Sequence, residues 1–343
     1  MIDIFHNENI DFETFLNLAK KNNIFINENL FIKKIFENNH GFFSKDKINA
    51  NQKIISIPKN LLISRDLIKD FILENKIDYI SDELLKLYFC SLPKIEYFKK
   101  NNLFFLDETK KKILLNFFIE QSPTRRKIIS LFKYTNQLDD LDLFLFLIFR
   151  SRSFRLNNTS YLIPVLDMVN YKKDELNAIK NTKEVYFETK KKLNENEEFF
   201  QGYNSKDDIV SFYMRYNFVP EDFNLISIPP NFFSINIPKN LRFDFDTSYW
   251  NFKNGRLSNK LNIIFNNLEI PLEFKIEISK IIPDRVLVTQ ITKTVLELMK
   301  NEVNFNELNN YLEKESKASP LFEFARALSL NHSMICKAIK MLE

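Results

Sequence analysis

Phe149-Arg150-Ser151-Arg152-Ser153-Phe154, followed by Leu162-Ile163-Pro164-Val165-Leu166-Asp167-Met168-Val169-Asn170-Tyr171, is the stretch whose reading decides the fold. Alone it is a helix end and a proline-bearing loop, and its neighbours give it meaning. Upstream, residues 64–149 carry repeated helical periodicity, as in Leu84, Leu85, Leu87 and Tyr88, then Ile113, Leu114, Phe117 and Phe118. Before that block, Phe31-Ile32-Lys33-Lys34-Ile35 and Ile54-Ile55-Ser56-Ile57-Pro58 are short β-branched runs bounded by turn residues. They read as paired strands around a loop at Asn38 to Gly41. Beyond the block, Ser160-Tyr161-Leu162-Ile163-Pro164 and Glu184-Val185-Tyr186-Phe187-Glu188-Thr189 return to strand character. The chain is therefore expected to be α+β, with a β-fold of short strands interrupted by a helical insertion over about 64–149.

A short amphipathic helix is predicted at about 11–22, capped by Asp11, with Phe12, Phe15, Leu16 and Ala19 at helical spacing. After Pro238 the pattern is helical over 257–268, 271–281, 285–300, 305–314 and 320–342, with Pro271 and Pro283 near helix starts. The Asn- and Pro-rich stretch over 227–240 is the expected boundary between a first domain, 1–240, and an all-α domain, 241–343.

Composition narrows the function classes. The 343 residues are 45% hydrophobic and 27% charged, as in an ordinary globular protein able to bury its own core. A net charge of +4, spread along the chain, gives no concentrated basic footprint for nucleic acid. Cys90 and Cys336 lie far apart, and His6, His40 and His332 do not cluster, so neither a disulfide framework nor a metal site is expected. No leader and no run of about 20 apolar residues is evident, which predicts a cytoplasmic protein, with the nucleus as a further compartment. The 36 Phe and the many Lys, Asn and Ile read as compositional background. The three glycines do not: turns must be made by Asn, Asp and Pro, so Gly41 and Gly202 are informative, while Gly255 reads as an Asn-Gly turn.

Three segments hold these special residues on loops: Asn38-Asn39-His40-Gly41-Phe42-Phe43; the stretch from Phe149 to Tyr171; and Asn196-Glu197-Glu198-Phe199-Phe200-Gln201-Gly202-Tyr203-Asn204 with Tyr213-Met214-Arg215-Tyr216-Asn217-Phe218-Val219. In this order they resemble the SET-domain methyltransferases of the Rubisco large-subunit methyltransferase type. That family has a Gly-x-Gly loop, an Ile-Pro strand end, a helical insertion and a Ser-Arg-x-Phe helix. A Pro-x-x-Asp-x-x-Asn-His loop, a glutamate-rich turn leading to a catalytic tyrosine, and a Tyr-Gly-Phe strand follow. The counterparts here are Gly41, Ile57-Pro58, Ser151 to Phe154, Pro164 to Asn170, Glu197-Glu198, Tyr203 and Tyr216-Asn217-Phe218, and residues 257–342 resemble the family's helical substrate-binding domain.

The resemblance implies a protein-lysine N-methyltransferase that uses S-adenosylmethionine and acts on the lysine side chain of a protein substrate; since nothing about the size of the chain forces an oligomer, a monomer is expected. Tyr203 is then the catalytic hydroxyl between methyl donor and acceptor nitrogen. Asn170 holds the donor's amino-acid end, Arg152 its carboxylate, and Asn38, His40 and Gly41 its adenosyl part. Asp167 braces the loop carrying Asn170, and Tyr171 backs the cofactor pocket. The chemistry suits these residue types, because a lysine of pKa near 10.4 is only about 0.1% neutral at pH 7.4. An aromatic channel disfavours the ammonium form, and Phe154, Tyr203, Tyr216 and Phe218 would supply one. Phe154 favours lysine over a smaller hydrogen-bonding acceptor such as histidine. Family members with this helical domain act mostly on non-histone proteins, so a ribosomal protein or translation elongation factor is the expected substrate.

Four departures from the family pattern stand out: Asn39 and Asn217 replace glycines of the Gly-x-Gly and Tyr-Gly-Phe motifs, Asn204 replaces the glycine after the tyrosine, and Tyr171 replaces the histidine. Asn tolerates positive φ, so the three Asn exchanges preserve turn geometry. Tyr171 is also compatible with a weak or inactive enzyme that keeps the fold to bind a protein or peptide. A histone-lysine or a protein-histidine methyltransferase would carry the same ordered motifs.

Overall fold

A computed structural model of the chain describes residues 11–36, 39–68, 82–93, 95–156, 159–172, 179–180, 183–203, 208–220, 223, 225–228, 261–264, 285–315 and 319–343. Asn38, Asn204, the Gly255 turn, the expected helix over 271–281 and most of the 227–240 boundary lie outside them.

The first helix forms where its cap and apolar spacing place it. In α1 (Phe12–Lys21), Asp11 accepts the Glu13 N–H at 3.1 Å, and Phe15, Leu18 and Ala19 are buried. The strands that follow are β1 (Phe25–Ile26), β2 (Leu30–Phe36), β3 (Asn39–Ser44) and β4 (Lys53–Pro58). Here the structure corrects the expected pairing. β2 pairs with β3, not with β4, in register from Leu30↔Ser44 to Lys34↔His40. Asn39, His40 and Gly41 are therefore strand residues, not loop residues. β4 is buried at four consecutive positions, Ile54 to Ile57, so it belongs in the middle of another sheet.

Helices α2 (Asp82–Ser91), α3 (Ile95–Asn101), α4 (Glu108–Asn116), α5 (Pro123–Thr135) and α6 (Asp140–Arg152) follow, before the chain returns to β5 (Phe154–Leu156), β6 (Thr159–Tyr161), β7 (Asn170–Tyr171), β8 (Ile179–Lys180), β9 (Glu184–Glu188) and β10 (Glu198–Gln201). The β part is thus interrupted by helices. One sheet has the order β1-β4-β9-β8, and another β2-β3-β10-β7, in which the β10–β7 pair is parallel and the others antiparallel. β5 and β6 form a short ribbon.

The remaining elements are α7 (Ile209–Tyr216), β11 (Leu225–Ile228), β12 (Leu261–Ile264), α8 (Arg285–Asn301), α9 (Phe305–Lys314) and α10 (Pro320–Met341). The last three occupy the predicted helical segments. The predicted helix over 257–268 is overturned at its centre, where Leu261–Ile264 is a strand antiparallel to Leu225–Ile228. In the ladder's register Ile264 is opposite Leu225 and Ile263 opposite Ile226, a non-local backbone pairing that outweighs local helical spacing. Tyr216-Asn217-Phe218 is also not a strand. Tyr216 ends α7, and Asn217 terminates it in the left-handed region at φ 64°.

Two compact units result: Met1–Phe98 with Leu138–Asn204, and Lys99–Gln137 with Ser205–Glu343. The first holds both four-stranded sheets. In the second, α4 and α5 pack with the C-terminal helices. Phe118 packs on Phe324, and Phe117 edge-on against Tyr311. The Glu302 carboxylate caps α5 by accepting from Ser122 Oγ at 2.9 Å and from Thr124 N and Oγ1, each at 3.2 Å. Among the described residues, no helix is long and apolar enough to cross a membrane.

Candidate active site

The site grows from the turn after Pro164. Val165 is fully buried at φ 72°, a conformation a β-branched residue adopts only when its surroundings impose it. The other positive-φ residues, Asn23, Asn51, Asn196 and Asn217, are all Asn, whereas no described glycine has positive φ. Among the described residues, Val165 thus marks the one strained turn not made by a turn-forming residue. The Leu166–Met168 3-10 turn follows, and Val169 leads into β7.

Asp167, in that turn, has a fully buried side chain. Its Oδ2 accepts from Tyr88 Oη at 2.7 Å and lies 3.9 Å from Arg152 Nη1. Its Oδ1 is buried with no hydrogen-bond partner among the described residues. Burial pushes the carboxyl up to about 6, against the opposing pull of Arg152 and the Tyr88 hydroxyl. Arg152, at the end of α6, also donates Nη1 to the Asp167 backbone carbonyl at 3.2 Å. Its side chain is 27% exposed, so the guanidinium is anchored on one side and open on another.

Asn170 opens β7 beside β10. Its amide nitrogen donates to the His40 carbonyl at 2.9 Å and to Glu198 Oε1 at 2.8 Å. With both amide hydrogens engaged, the amide oxygen is what Asn170 can offer a ligand. Gly41 is required here by crowding and not by φ. A Cβ at that position would overlap the Glu198 carboxylate and sit 3.0 Å from Asn170 Nδ2. Partial burial raises the Glu198 pKa, offset by the Asn170 hydrogen bond and by Lys172. His40, its ring 4.5 Å from that of Phe12, has its pKa lowered by burial, then by Lys34 and Arg152.

Tyr203 follows β10. Its hydroxyl donates to the Val169 carbonyl at 3.3 Å, an oxygen that also accepts from the buried Gln201 Nε2 at 3.1 Å. The Tyr171 and Tyr203 rings lie 5.2 Å apart, tilted. The first unit therefore brings His40, Gly41, Arg152, Asp167, Asn170, Tyr171 and Tyr203 around two adjacent strands and one turn. Phe154 opens β5 opposite Tyr161 and is half-buried. Tyr216 and Phe218 belong to the second unit, where both pack on the buried Phe212, at 4.6 Å and edge-on at 5.2 Å.

Sequence reasoning missed Tyr88, Glu198 and the strain at Val165. Tyr88 occupies an ordinary core position of an amphipathic helix, and only its hydroxyl sets it apart. Glu198 is one of two adjacent glutamates. Strand alternation separates them, because Glu197 Oε2 caps the Asn194 turn while Glu198 faces Asn170.

No protein-family model and no curated protein matches the chain. Solved structures do. The SET domain of LSMT bound to lysine and AdoHcy is similar with a TM-score of 0.57 at 14% identity, over 96% of this chain and 90% of that one. Rubisco LSMT bound to AdoMet gives 0.57 at 14% identity, over 96% and 91%. Rubisco LSMT bound to sinefungin and monomethyllysine gives 0.56 at 15% identity, over 96% and 91%. Strands interrupted by helices, with the Asp167 turn and Tyr203 at adjoining strand ends, thus make up a SET-domain methyltransferase fold.

Proposed function

We infer that the chain is a protein-lysine N-methyltransferase that uses S-adenosylmethionine, acting as a monomer in the cytoplasm, and also the nucleus, on a non-histone protein such as a ribosomal protein or translation elongation factor. The observation that carries this reading is Tyr203, tied through its hydroxyl to the Val169 carbonyl, next to the Arg152, Asp167 and Asn170 cluster, in a fold whose solved neighbours bind AdoMet and lysine.

The donor set fits S-adenosylmethionine. Its amino-acid end is a zwitterion, which needs a cation and several acceptors together. The partly open Arg152 guanidinium offers the cation. The Asn170 amide oxygen and the Glu198 carboxylate offer acceptors. The missing side chain at Gly41 keeps room for Glu198 and Asn170 in that cradle. When bound, S-adenosylmethionine supplies an electrophilic methyl group.

The protein's own part is orientation and exclusion of water. The Tyr203 oxygen, with its hydrogen directed to Val169, can accept an N–H of the substrate amine, which aims the nitrogen lone pair elsewhere. Aromatic surroundings favour the neutral amine over the ammonium, as in-line displacement requires. Tyr171 packs against Tyr203 where the family has histidine, so it restrains the catalytic ring and is compatible with activity. A non-polar Phe154 favours lysine over histidine as acceptor.

Tyr203→Phe tests the reading. Turnover with a labelled methyl donor and a lysate of the source organism should fall at least about a hundredfold, with AdoMet affinity within about threefold, since the hydroxyl acts on the transition state more than on donor binding. Unchanged turnover would place the chemistry elsewhere. Failure of correctly folded wild-type protein to bind AdoMet in calorimetry would favour the peptide-binding pseudoenzyme.

A further inference from the structure

We propose that Tyr88 is a positioning residue for the methyl-donor site: its hydroxyl holds Asp167 as a carboxylate, and the carboxylate holds Arg152 where it can meet a ligand's negative end. The inference rests on the function proposed above for the donor role of Arg152. The contacts themselves stand without it.

Tyr88 lies on the buried face of α2 with Leu84, Leu85 and Phe89, and has no exposed surface. Packing alone would be served as well by phenylalanine, so the hydroxyl needs its own explanation. It is found in Asp167, whose Oδ2 accepts that hydroxyl at 2.7 Å, the short distance of a charge-assisted bond. Burial and the neighbouring carboxylate raise the Tyr88 pKa well above its ordinary value, so the hydroxyl stays protonated and remains a donor at neutral pH. Asp167 has little else. Arg152 Nη1 is 3.9 Å from Oδ2, and Oδ1 has no partner among the described residues. Without the Tyr88 hydroxyl, the carboxylate keeps no side-chain hydrogen bond and only the weak help of its own backbone N–H, and a buried carboxylate in that condition takes up a proton more readily. The guanidinium then keeps only the Asp167 backbone carbonyl at 3.2 Å and loses its counter-charge.

Among the described residues, the charged groups around this network are few. Arg152 faces Asp167 from α6, and Tyr88 faces it from α2. Lys34, from β2, and Arg152 both act on His40, and Lys172 acts on Glu198, the carboxylate that accepts from Asn170. An Asp167→Asn control separates their titration from that of Asp167.

The test compares wild type, Tyr88→Phe, Asp167→Asn and the double variant. The Asp167 carboxyl is titrated by carbon NMR in the ligand-free protein, and the AdoMet Kd is measured by calorimetry from about pH 5.0 to 8.5, a window that spans the raised carboxyl midpoint. In Tyr88→Phe the carboxyl midpoint should rise by about one pH unit or more, as expected for loss of one hydrogen bond to a charged group. AdoMet binding should weaken about threefold or more at about pH 6.5 and less than about twofold at about pH 8.5. In Asp167→Asn the added Tyr88→Phe change should leave the pH profile untouched. An unmoved carboxyl midpoint, or equal weakening at every pH, would overturn the proposal, because a purely structural tyrosine would behave that way. Should Tyr88→Phe not fold, Asp167→Asn decides alone. Its Kd must lose the weakening below about pH 6.5 that wild type shows, and an unchanged pH profile refutes the proposal. If wild type binds no AdoMet while Tyr88→Phe still moves the Asp167 midpoint, the donor reading falls and the hold of Tyr88 on Asp167 stands.

Discussion

Replacing Asp167 with Asn separates the stability cost of the candidate site from its use. The carboxyl titrates at about 6 in the folded protein against an ordinary 3.8. Between those values the folded state binds the proton more tightly than the unfolded chain, so the stabilising contribution is complete below about pH 4 and is lost as pH rises through about 6. A gap of about two pH units, at about 1.36 kcal/mol each, amounts to about 3 kcal/mol. The origin is visible in the structure: the side chain is fully buried, and Oδ1 has no partner among the described residues. Asparagine keeps the shape and an acceptor for Tyr88 but does not ionise. Urea unfolding followed by circular dichroism at about pH 4.0, 5.5 and 7.5 should therefore show wild type losing about 3 kcal/mol relative to Asp167→Asn across that range. AdoMet binding should be weakened in the same variant at about pH 7.5, where it is relatively most stable. A stability difference constant to within about 0.5 kcal/mol over the three pH values would mean that Asp167 is not a strained buried carboxylate, and the account of the turn would fail.

The other predictions follow from single contacts. Gly41→Ala should cost the fold only about 1 kcal/mol, because the colliding Glu198 carboxylate ends a flexible side chain. It should nevertheless weaken AdoMet binding more than about tenfold by pushing Glu198 off Asn170, as calorimetry would report. Glu302→Ala removes three acceptor contacts at the start of α5 and should destabilise by about 2–4 kcal/mol in chemical unfolding, with Glu302→Gln losing less. Asn217→Gly should leave thermal stability within about 0.5 kcal/mol, whereas Asn217→Ala should lose about 1 kcal/mol, since the position holds φ 64°.

What could be read in advance was what local chemistry decides. Asp11 as a cap, Phe15 and Ala19 at helical spacing, Pro320 at a helix start and Asn217 at positive φ are properties of a few neighbouring residues, and the structure has each of them in place. Strand partners are a different matter. Phe31 to Ile35 and Ile54 to Pro58 are good strands by composition, yet nothing within either states that β3 intervenes for one and β9 for the other. The same holds for Leu261–Ile264, helical by spacing and a strand by its distant partner. At the site, residues that follow an ordered motif, such as Arg152, Asp167 and Asn170, could be named. Tyr88 could not, because a hydroxyl among apolar residues of a helix carries no sign of the turn that will receive it 79 positions later.

Both compact units are discontinuous, and that interleaving dictates an order of events during synthesis. The first unit needs Leu138–Asn204 and can close only when Asn204 has emerged. By then α4 and α5 have long been made, but Glu302, which caps α5, and Tyr311 and Phe324, which pack on Phe117 and Phe118 just after α4, are about a hundred residues away at the other end of the chain. The apolar faces of α4 and α5 must wait uncovered through that interval, a period of several seconds to tens of seconds at ordinary rates of translation. The nascent chain is then a prime client for chaperones, and polypeptides ending between Asn204 and Phe324 should aggregate even though every residue of the Arg152, Asp167, Asn170 and Tyr203 cluster is present in them.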